Sequence, residues 1–390
     1  VKSGESAVDA GAGPKLFEPL SLRSVTLKNR IVVSPMSMYG AHDGAPDDLH
    51  LVHLGRFAMG GAGLALMEAA AVSRNGRITH GCLGIWLDAH VRPLRRVVDF
   101  LHRFGCAAGI QIGHSGPKGS AQRPWHGGAP LGPDDAAQRG EEGWPVVSAS
   151  PVPFDDGWPI PLPLAETDMD ALVLDYRNAA RRAREAGFDT VEIHCAHGYL
   201  LHAFLSPLVN RRDDRYGGSL ENRMRLPLRV AEVVRAEWPG SKPVLVRISA
   251  VDGVDVGWSI EDSIFFAREL AERGIDAIDC SSGGMKLPRG KALPSRTPGF
   301  QVPFSARIRR EAKIPTIAVG LIREPRQAED VLQAGDADLI ALGREVLVNP
   351  NWAAQAALSL RGGDGWREWP DMFRWWLERR DRQLASKVVS

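Results

Sequence analysis

Gly187-Phe188-Asp189-Thr190-Val191-Glu192-Ile193-His194-Cys195-Ala196-His197-Gly198-Tyr199 reads as a helix stop, a strand and a polar tip in succession. Upstream, Leu172, Tyr176, Ala179, Ala180 and Ala183 recur at helical spacing between Asp168 and Ala186, and Gly187 closes that helix. The run Thr190–His194 then has the length and β-branched content of a buried strand. Seven further runs of this kind flank it: Arg30–Pro35, Gly63–Glu68, Ala108–Ile112, Pro243–Ile248, Ala277–Cys280, Pro315–Val319 and Ala337–Leu342. Helical stretches lie between them, and those at Asp262–Arg273 and Glu324–Ala334 are closed by Gly274 and Gly335. Eight strand–helix alternations predict an α/β fold, a single (β/α)8 TIM barrel. The competing doubly wound sheet lacks support, because no Gly-x-Gly-x-x-Gly follows the first strand.

The barrel is expected to span residues 15–360. Residues 1–14 are small and polar without an apolar segment, and read as a disordered leader. Between the third and fourth strands, Gly113 to Glu166 is too long for a connector. Its Trp125, Trp144 and Trp158 favour an ordered cap over the barrel mouth. Residues 361–390 form an aromatic tail (Trp366, Trp369, Met372, Phe373, Trp375, Trp376) that calls for a partner surface. Lysine plus arginine (48) nearly cancels aspartate plus glutamate (47), so nothing favours a nucleic acid or anionic membrane partner. No uncharged run is long enough to span a membrane. Cys82, Cys106, Cys195 and Cys280 are far apart and form no Cys-x-x-Cys, which points to reduced thiols and a cytoplasmic protein.

In a barrel of this kind, chemistry gathers at the C-terminal strand tips. Here the tips carry Pro35-Met36-Ser37-Met38-Tyr39, Glu68-Ala69, Gln111, His194, His197, Tyr199, Arg247, Ser281-Ser282-Gly283-Gly284, Gly320 and Gly343-Arg344. Two imidazoles and a phenol leaving one strand can polarise a carbonyl and deliver a proton. His194 and His197 as a zinc pair is the alternative, but helical zinc pairs prefer a spacing of four and no third ligand stands nearby. Gly320, Gly343 and Arg344 follow the last two strands, the usual phosphate site of barrels.

Several motifs, in order, are similar to the Old Yellow Enzyme family of FMN-dependent ene-reductases. They are Asn29-Arg30-Ile31-Val32-Val33-Ser34-Pro35-Met36, Gly84-Ile85-Trp86, His194–Leu200, Phe204-Leu205-Ser206-Pro207, Asn210-Arg211-Arg212-Asp213, Tyr216–Arg223 and Leu342-Gly343-Arg344-Glu345. The likeness runs from about residue 15 to 358 and is strongest to the thermophilic-like, xenobiotic-reductase branch. It implies bound FMN, with its phosphate at Gly320, Gly343 and Arg344. It also implies that Ser34, Pro35, Met36, Ser37 and Ala69 line the flavin, that Gln111 bonds its pyrimidine edge and that Arg247 sits near N1. His194 and His197 would grip the oxygen of an electron-poor alkene, and Tyr39 would add a second phenol. Flavin N5 would give hydride to the β-carbon and Tyr199 a proton to the α-carbon. NADPH or NADH would reduce the flavin in the same pocket, in a ping-pong cycle. A homodimer or homotetramer is expected, with Trp376 or Arg379 of the tail completing a neighbour's site.

The chain departs from that pattern at three points. Ser37 stands where the branch usually has cysteine. His114-Ser115-Gly116-Pro117-Lys118 replaces a His-Ala-Gly-Arg motif, and Phe300 stands where tyrosine is common. A flavin-dependent double-bond isomerase or desaturase, and a flavin-free phosphate-binding barrel such as an aldolase, are the competing functions. For an aldolase, no lysine stands at a strand tip to form a Schiff base.

Overall fold

The computed structural model describes residues 13–287 and 296–388; the expected leader up to residue 12 lies outside them. Eight parallel strands close into a barrel: β1 Ile31–Val33, β2 Leu64–Ala71, β3 Ala107–Gly113, β4 Thr190–Cys195, β5 Val244–Ser249, β6 Ala277–Ser281, β7 Thr316–Ala318 and β8 Leu339–Leu342. Each of the eight runs anticipated from sequence forms one of them. The ring is completed by β8 pairing with β1, where Ile340, Ala341 and Leu342 face Ile31, Val32 and Val33.

Alternation along the strands sorts side chains into two separate cores. Outward positions such as Ile31, Val33, Ala65, Met67, Ile110, Val191, Ile193, Val246, Ile278 and Ile340 pack under the surrounding helices. Inward positions Val32, Leu64, Leu66, Leu245, Ala277, Ile317, Leu339 and Ala341 fill the barrel bottom, which Leu22 and Leu27 of the hairpin Leu20–Leu22/Val25–Leu27 plug from below. Further along the same inward register stand Ser34, Glu68, Gln111, Glu192, His194, Arg247, Asp279 and Ser281, all buried and all polar.

The helix predicted from Asp168 runs Glu166–Ala186 and ends at Gly187, whose φ of +98° is the left-handed cap that only glycine adopts without strain. The segment after β3 is ordered, with a helix at Pro133–Arg139 and a two-residue pairing of Val147–Ser148 with Leu162–Pro163. Arg123 donates from it to the Tyr39 carbonyl at 3.2 Å, tying the segment to the loop after β1. All four cysteines are buried and unpaired. Among the described residues no helix is long and apolar enough to cross a membrane, and no three metal-ligating side chains converge.

One buried network ties the fold to the turn after β4. Asp252 and His202 have fully buried side chains, with His202 Nε2 3.2 Å from Asp252 Oδ1. Asp252 Oδ2 also accepts from Ser206 Oγ (2.6 Å) and the Trp258 amide (2.7 Å), while His202 Nδ1 accepts the Gly198 N–H at 2.9 Å. Burial opposes the Asp252 charge, but these partners together hold its carboxyl below the usual range. Removing one member of such a set strands the others. Asp252→Ala should therefore cost about 3 kcal/mol, read as a lower denaturant midpoint at unchanged slope.

Candidate active site

The chain leaves β4 through two consecutive left-handed residues, His197 (φ +60°) and Gly198 (φ +76°). A histidine in that region is strained unless its surroundings hold it. The turn brings three rings edge to face: His194 to His197 at 5.1 Å and 86°, and His194 to Tyr199 at 4.9 Å and 90°. One hydrogen bond assigns an imidazole proton. His194 Nδ1 accepts the Ala196 N–H at 3.2 Å, so its proton is on Nε2. Ser281 Oγ accepts from Gln301 Nε2 (3.2 Å) and lies 2.7 Å from His197 Nε2, a contact in which the hydroxyl can either donate or accept.

Residues from three other loops fix the strained turn. Lys118 Nζ donates to the His197 carbonyl at 2.9 Å and to Gly284 at 3.4 Å, and Ser249 Oγ accepts the His197 N–H at 2.9 Å. Gly284 (φ +103°) packs so closely that a Cβ there would fall 2.3 Å from His197 Cα. Lys118, Ser249, Ser281 and Gln301 were not among the sequence-derived candidates. Ser281 was recognised only as a strand tip and Lys118 only as the end of the departing His114–Lys118 motif, while Ser249 and Gln301 were given no role.

Beside this turn a cavity of about 960 Å³ opens at the C-terminal mouth, lined by His197, Ser281, Gln301, Gly320, Gly343 and Arg344. Phe300 and Arg323 also line it, and Arg323 carried no sequence signal. Gly320 (φ +116°) has room for no side chain, since a Cβ would lie 2.7 Å from Gln301 Oε1. Ala69, Gly113, His194 and Tyr199 share a small adjoining pocket. Ser34 Oγ and Arg247 Nε are buried without a hydrogen-bond partner. Gln111 is spent partly on the barrel itself, its Nε2 donating to Glu192 Oε1 at 2.8 Å. Tyr39, at φ +53°, stands edge-on to Trp125 at 6.1 Å, and Glu68 Oε2 accepts the neighbouring Met38 N–H at 3.1 Å. Pro35, Met36 and Ser37 are half-buried in the same loop. Trp376 and Arg379 lie on the terminal helix Asp371–Val388, exposed, and line none of this chain's mouth.

The site's electrostatics follow from its dryness. Burial first, then the Arg247 charge, pushes both His194 and His197 well below the ordinary imidazole value. Burial raises Tyr199 far above a free phenol and lifts Tyr39 to about 12. Burial also brings the Lys118 ammonium down to about 8. The turn therefore presents neutral imidazoles and a phenol near the Arg247 guanidinium, with Arg323 and Arg344 on the cavity wall.

Residues 15–361 match the NADH:flavin oxidoreductase / NADH oxidase family. The chain is 44% identical over 348 residues to an NADPH dehydrogenase of Listeria monocytogenes serotype 4a (strain HCC23), covering 89% of this chain and 95% of that one. An NADPH dehydrogenase of Geobacillus thermodenitrificans (strain NG80-2) is 43% identical over 350 residues, covering 88% and 94%. Among solved structures, morphinone reductase in complex with tetrahydroNAD aligns with a TM-score of 0.73 at 28% identity, covering 89% of this chain and 91% of that chain. The old yellow enzyme homologue from Zymomonas mobilis aligns at 0.70 and 27%, covering 86% and 90%.

A depressed imidazole value means that the folded state resists protonation. Below about pH 6.5 the unfolded chain binds protons that these rings refuse, so their share of stability is present above that pH and lost as pH falls. Nitrogen NMR of labelled histidine should show His194 and His197 unchanged from pH 8 down past about 6.5, the free-histidine value.

Proposed function

Because the chain belongs to the NADH:flavin oxidoreductase / NADH oxidase family, we propose that it reduces the activated C=C bond of α,β-unsaturated carbonyl or nitro compounds, with FMN as cofactor and NADPH or NADH as donor. The observation that carries this reading is the trio of His194, His197 and Tyr199. Two neutral imidazoles, that of His194 with its N–H donor assigned, stand against a phenol that stays protonated.

The mouth suits FMN. Its volume lies in the range of ligand sites, Gly320 leaves backbone bare for close approach, and Ser34 Oγ and Arg247 Nε are buried polar atoms still lacking partners. In this reading Gly320, Gly343 and Arg344 hold the phosphate, with Arg323 as an added cation. Ser34, Pro35, Met36, Ser37 and Ala69 line the ring. Gln111, its amide N–H given to Glu192, keeps its oxygen as an acceptor for the pyrimidine edge. Arg247 meets the negative charge that reduction places on the ring. When bound, FMN supplies the hydride chemistry, taking hydride from the nicotinamide and passing it to the alkene's β-carbon, one ligand after the other.

The protein's own groups do the rest. His194 through Nε2–H, and His197 in its Nδ1–H tautomer, donate to the substrate's carbonyl or nitro oxygen, withdrawing electron density from the conjugated C=C. Being neutral, they do so without a buried charge to desolvate. Tyr199, held edge-on against His194, gives its proton to the α-carbon. Tyr39, on the loop tied down by Arg123, adds a second phenol above the substrate.

We place the chain in a homodimer or homotetramer on the same basis. The terminal helix leaves Met372, Trp375 and Trp376 more than half exposed (57%, 57% and 66%), an apolar face unusual for a free surface. Trp376 and Arg379 are the residues proposed to reach a neighbour's mouth. Trp369, by contrast, is buried in its own subunit, so a clean test removes residues 371–390 only. That truncation should lower the molar mass in solution and broaden substrate selectivity; an intact assembly with unaltered kinetics would count against the idea.

Anaerobic titration with NADPH and NADH should bleach a yellow protein, and cyclohexenone, maleimide or a nitroalkene should restore the colour. A colourless protein that refuses added FMN overturns the reading. Isomerised alkene formed without nicotinamide consumption would point to the redox-neutral isomerase instead. In Tyr199→Phe, reoxidation by the alkene should slow about 10²- to 10⁴-fold, the usual worth of a placed proton donor, while reduction by NADPH stays nearly unchanged in stopped-flow traces.

A further inference from the structure

Just below the imidazoles, with Arg247 in register opposite His194, neighbouring strands put Gln111, Glu192, Arg247 and Asp279 on inward positions. All four are buried, Glu192 and Asp279 completely. Their hydrogen bonds do not fit a set in which both acids are ionised. Gln111 satisfies Glu192 Oε1, but Glu192 Oε2 and both Asp279 carboxylate oxygens receive no N–H or O–H from any neighbour. Arg247 Nε stands 3.3 Å from Asp279 Oδ2 yet is not aligned to donate. The two carboxyls lie within hydrogen-bonding reach of each other. Two facing carboxylates would leave a net charge of −1 and three bare lone-pair sites in a dry barrel, which is costly. A proton between them cancels the charge and satisfies two of the three oxygens, leaving the third beside Arg247.

We propose that Glu192 is held as a neutral acid donating its proton to Asp279, and that this acid–carboxylate pair positions Arg247 and fixes the charge it presents at the barrel mouth. Burial and the facing Asp279 raise the Glu192 carboxyl, with Arg247 opposing. Burial raises Asp279 as well, while Arg247 and the hydrogen bond from Glu192 pull it down; the guanidinium 3.3 Å from Asp279 Oδ2 favours the charge on that carboxyl and so the proton on Glu192. Arg247 is the bridge between layers. Its charge acts on Glu192 and Asp279 below, and on His194, His197 and Tyr199 above. With the proton in place the layer is neutral overall; without it, a net negative charge would sit under the position proposed for the flavin and oppose its reduction. Glu192 and Asp279 are thus positioning residues, acting through Arg247, and this last step rests on the FMN reading above.

The test compares Glu192→Gln with Glu192→Gln/Asp279→Asn. Glutamine reproduces the neutral acid, its amide N–H replacing the acid O–H toward Asp279. The single variant should keep the affinity ratio of reduced to oxidised FMN within about twofold of the parent, a negligible energy change. The double variant leaves the guanidinium uncompensated and should favour reduced FMN about tenfold or more, a rise of roughly 30 mV in potential. A tenfold change already in Glu192→Gln would mean that the parent carries two ionised carboxylates, and overturns the proposal; an unchanged potential in the double variant overturns it too. Infrared difference spectra of the protein as isolated, parent minus Glu192→Gln at neutral pH, judge the proton without reference to flavin. A lost carboxylic-acid carbonyl band supports it, and a lost carboxylate band overturns it. A protein that binds no FMN but shows the acid band refutes the functional reading and leaves the shared proton standing.

Discussion

A parallel barrel buries both faces of every strand, so its polar side chains have one tolerable place: inward positions near the C-terminal rim, where loops and a ligand can satisfy them. This chain follows that constraint on six of its eight strands. Below the rim the interior is mainly Val, Leu, Ile and Ala, sealed by Leu22 and Leu27. At the rim, the next inward step on those six is Ser34, Glu68, Gln111, Glu192, Arg247 or Asp279, while β7 and β8 step to Val319 and Gly343. The site is thus the continuation of the core by other residue types, and its rigidity is that of the core.

The same constraint explains what could be read directly from the residues. Strands and their inward parity follow from alternation, which is local, and all eight runs form the barrel. His194, His197, Tyr199, Arg247 and Gln111 sit at strand ends, so their convergence follows once the strands are counted. Lys118, Ser249, Ser281 and Gln301 are different. Their importance comes from contacts between loops far apart in the chain, such as Lys118 with His197 and Gly284, and no spacing rule encodes those. The Glu192–Asp279 encounter was likewise invisible, because it depends on two carboxyls reaching across β5 between their strands.

The strained turn shows how position is obtained at this rim. His197 in the left-handed region would relax if freed, yet its carbonyl is held by Lys118, its N–H by Ser249 and its ring by Ser281, while Gly284 closes over its Cα. The residue after it is held as well, the Gly198 N–H by His202, which stands against Asp252. Imidazoles so fixed spend nothing on reorientation when an oxygen arrives, which is what preorganised donors require.

The four thiols carry a chemical consequence of their own. Electron-poor alkenes are Michael acceptors, and a thiolate is the side chain they alkylate fastest. Here every thiol is buried, and burial, the largest cause in each case, pushes Cys82 up to about 11 and Cys106 to about 12, with Cys195 and Cys280 raised as well. Ser37 puts a hydroxyl, not a thiol, in the loop after β1. The catalyst would therefore survive prolonged contact with electrophiles that poison thiol-bearing proteins, a tolerance built from where the sulfurs are not.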